Sequence, residues 1–171
     1  MVLHFQAKVL TISPLSFVHI PTELSQQLPS RGMLMAEGTI NQRPYLLPLE
    51  PDGNGSHFLI LDYPLMQSID TEETLNITLS PSSKWIEAEV PSDLKTALTS
   101  NQLELTWNRL TVKARWAWIR WIRATNNPAT REKRISTACD MLQKGKKRPC
   151  CFDHSQCTIP ELKKGLLQIS M

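Results

Sequence analysis

Residues 111–148 read TVKARWAWIRWIRATNNPATREKRISTACDMLQKGKKR, and the spacing of their apolar residues sets the architecture of the C-terminal half. Ala114, Ala117, Trp118, Trp121, Ile122 and Thr125 recur every three or four residues, which is one apolar stripe along a helix. Thr111 is placed to cap its start. A second row, Trp116, Ile119, Arg120 and Arg123, follows the same spacing on another face. Asn127 then caps a second helix, with Pro128 at its first position, where the missing N–H costs nothing. Ile135, Ala138, Cys139 and Leu142 form the second stripe, and Gly145 reads as the left-handed residue past its end. Two short antiparallel helices are the expected outcome.

The same stretch concentrates charge. With Arg109 it holds twelve of the nineteen Lys/Arg residues and three of the five tryptophans. Residues 1–108 carry five Lys/Arg against twelve Asp/Glu, a balance of −7. Residues 109–148 carry twelve against two, a balance of +10, which the overall net charge of +3 conceals. Such a split suits either polyanion binding or docking of the basic part on the acidic part. The inward stripes call for a packing surface in both cases.

A chain of 171 residues is one domain, or one domain with an appendage, and buries a core without disulfide staples. No stretch has the apolar length of a membrane span, and the first residues read as a strand rather than a secretion signal. Four cysteines in this setting are expected to be reduced thiols of a cytoplasmic protein.

The N-terminal half alternates. Leu3, Phe5, Ala7 and Val9 interleave with His4, Gln6 and Lys8, giving a strand with one buried face. Phe17 to Ile20, Met33 to Ile40, Pro44 to Leu49, Ser56 to Leu61 and Thr74 to Leu79 are further strands. Asn41-Gln42 and Asp52-Gly53-Asn54-Gly55 are turns, Pro21 opens a short helix, and Pro64 to Ile69 is a short helical connector. Lys84 to Val90 is the expected last strand. Ser92 is placed to cap a helix carrying Leu94, Ala97 and Leu98, and Ser100 or Asn101 starts another with Leu103 and Trp107. Many short strands between turn signals argue for a barrel or sandwich.

The run FQAKV…FVHIP…SRGMLMAEGTINQRPYLLPLEPDGNGSHFLIL…VPSDLKTAL resembles a bacterial domain of unknown function with a double-split β-barrel fold. The run WIRATNNPATREKRISTACDMLQKGKKRPC resembles the helical segment of the YdeI or OmpD-associated, bacteriocin-protection proteins, and Thr130-Arg131-x-x-Arg134 is its most specific element. The resemblance covers roughly residues 3–150. Members carry Asn-Gly where this chain has Asn41-Gln42, and Ala-Lys where it has Ala124-Thr125. The resemblance implies an α+β protein: a small double-split β-barrel with short helices, followed by a C-terminal helical hairpin packed on it. The expected divisions are 1–98 for the barrel, 99–148 for the helical region and 149–171 for a tail.

No phosphate-binding glycine loop, Gly-x-Ser-x-Gly elbow or His-Glu-x-x-His helix is present, so the residues point to binding rather than catalysis. Arg131 lies four residues before Ile135 on an inward face, with Arg134 three residues further on. An inward guanidinium needs a carboxylate, a carbonyl or a bound anion. The bland solution is an ion pair with Glu37, Asp62 or Glu87. The functional one is an anionic small molecule or partner held by Arg131 and Arg134 between barrel and hairpin, with Trp121 as an apolar wall. The alternative is a nucleic-acid-binding regulator using the outer row Trp116, Arg120 and Arg123 with the run Lys146, Lys147 and Arg148. An enzyme of uncharacterised activity is the third reading.

Cys150-Cys151-x-x-His154-x-x-Cys157 has metal-like spacing, with Cys139 available as a further ligand. A structural zinc site ordinarily joins two separated ligand pairs, and here there is one cluster, so no metal and no cofactor is assigned. His4, His19 and His57 fall on expected strands and read as solvent-facing or capping.

Overall fold

The computed structural model describes residues 1–169. It divides into two compact units, Met1–Lys84 with His154–Cys157 and Glu161–Met171, and Trp85–Asp153 with Thr158–Pro160.

The first unit contains seven strands: β1 (Leu3–Ala7), β2 (Leu10–Ile12), β3 (Leu15–His19), β4 (Leu34–Ile40), β5 (Arg43–Pro51), β6 (His57–Ile60) and β7 (Leu75–Ser82). They form one antiparallel sheet in the order β1-β7-β4-β5-β6-β3-β2, curled into a half-barrel. Alternation produces this shape. Leu3, Val18, Ile20, Ala36, Leu47, Leu49, Leu59 and Ile77 turn to a common core, while Phe17, Met35 and Phe58, on the alternate positions, are buried on the other face. Strand β2 was not anticipated; its three residues pair with β3 through Leu10↔Phe17 and Ile12↔Leu15.

Turn chemistry fixes the register. Asn41 and Gln42 both have positive φ, 48° and 71°, which is the backbone twist a two-residue hairpin between right-twisted strands requires. Asp52 organises the next turn by accepting from the amides of Asn54 at 2.7 Å and Ser56 at 2.9 Å. Two single-turn helices are present: α1 (Thr22–Ser25) follows Pro21 as expected, and α2 (Tyr63–Met66) holds Pro64 in its first turn and ends before the expected Ile69. The Arg31 side chain closes the end of α1 by donating to the carbonyls of Ser25 and Leu28.

The second unit contains α3 (Ser92–Ser100), α4 (Glu104–Arg109), α5 (Val112–Arg123) and α6 (Pro128–Gln143). Its core joins Leu94, Leu98, Leu103, Trp107, Trp118, Ile122, Ile135, Ala138 and Leu142. Helix α3 therefore packs with the later helices, and the division falls at Lys84–Trp85 rather than at 98/99. The expected strand at Lys84 to Val90 is instead irregular. Its Ile86 carbonyl accepts from Trp116 Nε1 at 2.8 Å, and Glu87 pairs with Arg115, so helical side chains satisfy it in place of a neighbouring strand. Ser92 does not cap α3; Pro91 occupies that position without a side-chain bond. Helix α4 begins at Glu104, behind Leu103, later than Ser100 or Asn101.

The expected caps of the hairpin are present. Thr111 Oγ1 accepts from Ala114 N at 3.1 Å, and Asn127 Oδ1 accepts from Ala129 N and Thr130 N. Gly145 follows α6 with φ 83°. The expected tail contains helix α7 (Pro160–Ile169); residues 170–171 lie outside the described residues.

Candidate functional site

The site builds on two tryptophans of α5. Trp118 is fully buried, and its Nε1 donates to the Lys147 carbonyl at 2.9 Å. Trp121 meets it edge to face, with ring centroids 6.1 Å apart, and stays half-buried. Arg134 of α6 lies across that second indole, its guanidinium carbon 5.5 Å from the ring centroid. Arg134 Nη1 also donates to the Trp121 carbonyl at 2.8 Å. Its Nε and Nη2 have no partner among the described residues.

Arg131 lies one turn earlier on α6. It grips Asp93 of α3 bidentately, Nε to Oδ2 at 2.7 Å and Nη2 to Oδ1 at 3.0 Å. The hydrogen bond from Arg131 holds the Asp93 carboxyl below its usual range, and Asp93 in turn raises Arg131. Both side chains reach solvent, 27% and 47% exposed, so the pair itself contributes at most about 1 kcal/mol to stability. The paired carboxylate belongs to the helical unit and is none of Glu37, Asp62 and Glu87; Glu87 pairs with Arg115. Sequence spacing did not bring Asp93 to Arg131, because the contact depends on how α3 folds back beside α6.

The row expected to face outward does not. Arg120 is 2% exposed, with its guanidinium 5.4 Å from the Phe152 ring, and Trp116 is 9% exposed. Arg123 is half-buried, 6.0 Å from the Trp116 ring, and donates to Thr158 Oγ1 at 3.2 Å through Nε and Nη2. Helix α5 is thus enclosed on both rows, which a sequence with two apolar faces permits. Lys146, Lys147 and Arg148 are exposed.

Two family models match the chain. Residues 5–80 match a domain of unknown function, DUF1905, and residues 87–145 match OmdA, described as bacteriocin-protection, YdeI or OmpD-associated. The two matches lie in tandem along the chain. A search of curated proteins finds no match to it. Asp93, Trp121, Arg131 and Arg134 all lie within the OmdA segment, whereas Lys146, Lys147, Arg148 and the three last cysteines follow it.

The OmdA segment holds one further feature that sequence reading missed. A cavity of about 650 Å³ opens beside α3 and α4, lined among others by Glu89, Lys95, Leu98, Glu104 and Trp107. Within the DUF1905 segment, His57 is fully buried rather than solvent-facing, between Ser25 Oγ at 2.7 Å and the Gly32 carbonyl at 2.8 Å. His19 is bonded to Asp52 at 2.9 Å, and His4 is exposed as expected.

The cysteine cluster does not assemble. Cys150 and Cys151 belong to the helical unit and are exposed, whereas His154 and Cys157 belong to the barrel unit and Cys157 is buried. Among the described residues, no group of three or more His, Cys, Asp or Glu side chains is placed to hold a metal. No helix among them is long and apolar enough to cross a membrane.

Proposed function

We propose that the OmdA segment binds an anionic group, on a small molecule or a partner protein, at Arg131, Arg134 and Trp121, without catalysis. The observation that carries this reading is Arg134, fixed against the indole and carbonyl of Trp121 with two nitrogens uncommitted. A guanidinium held in one orientation loses little freedom when it meets a carboxylate or phosphate. Arg131 adds a second cation three residues away on the same face, near the N-terminal end of a sixteen-residue helix whose dipole favours negative charge. Asp93 already occupies part of Arg131 as an external carboxylate would. A cytoplasmic setting belongs to the same reading, in which the cysteines are reduced thiols.

The nucleic-acid reading rests on the exposed Lys146, Lys147 and Arg148 alone, because Trp116 and Arg120 are buried and Arg123 is engaged with Thr158. It predicts steeply salt-dependent binding that is indifferent to Arg134.

Calorimetric titration of the full chain with inorganic phosphate and with succinate tests the proposal. Saturable one-site binding of either anion is expected, weakened at least tenfold by Arg134→Met, which keeps an unbranched side chain against Trp121. Failure of both anions to saturate, or binding indifferent to Arg134→Met, contradicts it.

A further inference from the structure

Cys150 and Cys151 follow the OmdA segment and have no part in the anion site. Adjacent side chains in an extended strand point apart. Here Cys151 has a left-handed φ of 59°, and the turn brings the two sulfurs to 3.1 Å. Both side chains are exposed, whereas Cys139 and Cys157 are each 4% exposed. We propose that Cys150 and Cys151 are a modification site for hydroperoxides, closing reversibly to a disulfide between neighbouring residues.

Two observations carry the proposal. The sulfurs need to approach by only about 1 Å to reach a bond length of about 2.05 Å. The two sulfurs are within hydrogen-bond contact, and the Cys150 sulfur pushes the Cys151 thiol up. Burial raises the Cys139 thiol and removes it from competition.

The chemistry balances with hydrogen peroxide as oxidant. One thiolate attacks a peroxide oxygen, the O–O bond breaks, and a sulfenic acid forms with release of water. The neighbouring sulfur attacks the sulfenic sulfur, the S–O bond breaks, and the hydroxyl leaves as a second water. The two thiols lose two electrons and two hydrogens, and one peroxide becomes two waters. Neighbouring Cα atoms are about 3.8 Å apart, below the usual disulfide range of roughly 4.4–6.8 Å, so the ring is strained and readily reduced. Two glutathione molecules reopen it by successive thiolate attack, leaving oxidised glutathione.

The test is to treat the reduced full chain with hydrogen peroxide, then unfold it and alkylate the remaining thiols. The expected intact mass is lower by two hydrogens before alkylation. Alkyl groups should then appear on Cys139 and Cys157, with none on Cys150 or Cys151, and glutathione should restore both sites. In Cys151→Ser the loss of two hydrogens should vanish and Cys150 should gain oxygen instead. Oxygen on Cys150 or Cys151 of the unsubstituted chain, a bond to Cys157, a dimer between chains, or no reaction at all would each overturn the proposal.

Discussion

His57 illustrates how one residue sets a pH response. The Gly32 carbonyl can only accept, so Nε2 carries the hydrogen and Nδ1 accepts from the Ser25 hydroxyl. Both nitrogens are satisfied with the ring neutral. Burial holds the pKa below the ordinary 6.5; the Gly32 bond opposes this and the Arg31 charge reinforces it. The unfolded ring binds a proton below about pH 6.5 while the folded one resists. Stability from the neutral ring is therefore complete above about pH 6.5 and is lost as pH falls through the folded-state value. Urea midpoints should fall between pH 7 and pH 5, and His57→Gln should flatten that dependence while lowering stability at both. Equal slopes in the two proteins would assign the pH response elsewhere. No signal in the sequence marked His57 as buried: it sits next to a glycine-rich turn, at a strand start where an exposed polar residue is ordinary.

At the scale of elements, the β4–β5 hairpin shows what the sequence leaves unoptimised. Gln42 adopts φ 71° without being glycine. A left-handed L-residue costs roughly 1–2 kcal/mol, part of which glycine returns as unfolded-chain freedom. Gln42→Gly should therefore raise stability by about 1 kcal/mol or somewhat less, visible as a higher urea midpoint at unchanged slope. An unchanged or lower midpoint would mean that the Gln42 side chain contributes something its backbone does not explain. Next to that hairpin, Gly38 is required by contact: a Cβ there would lie 2.0 Å from the Thr78 carbonyl, which also accepts from Tyr45.

Strands and hairpin helices were legible because their periods, turns and caps are local. Asn127, Pro128 and Gly145 sit where capping rules put them. The irregular stretch at 84–90 was not legible, since Ile86, Ala88 and Val90 alternate with Glu87 and Glu89 like a strand and the groups that satisfy it come from α5. The candidate site was half legible. Arg131 and Arg134 stand out by helical spacing, but Asp93 and the inward turn of Arg120 depend on tertiary packing.

At the scale of the whole molecule, the positive charge of residues 109–148 does not form one exposed basic face. Arg120 is buried, Arg115 and Arg131 pair with Glu87 and Asp93, and Arg123 is bonded to Thr158. What stays available includes the Arg131–Arg134 pair beside Trp121, the exposed run from Lys146 to Arg148, and the exposed Arg109, Lys113 and Lys133. We assign recognition to the first, with Asp93 as its internal competitor. The most direct measurement is the succinate affinity of Asp93→Asn beside that of the natural sequence. Asparagine keeps the shape but removes the charge that occupies Arg131, so binding should tighten, by about tenfold if the full ion pair is displaced on binding. Affinity unchanged or weakened in Asp93→Asn would contradict the assignment of the anion to Arg131 and Arg134.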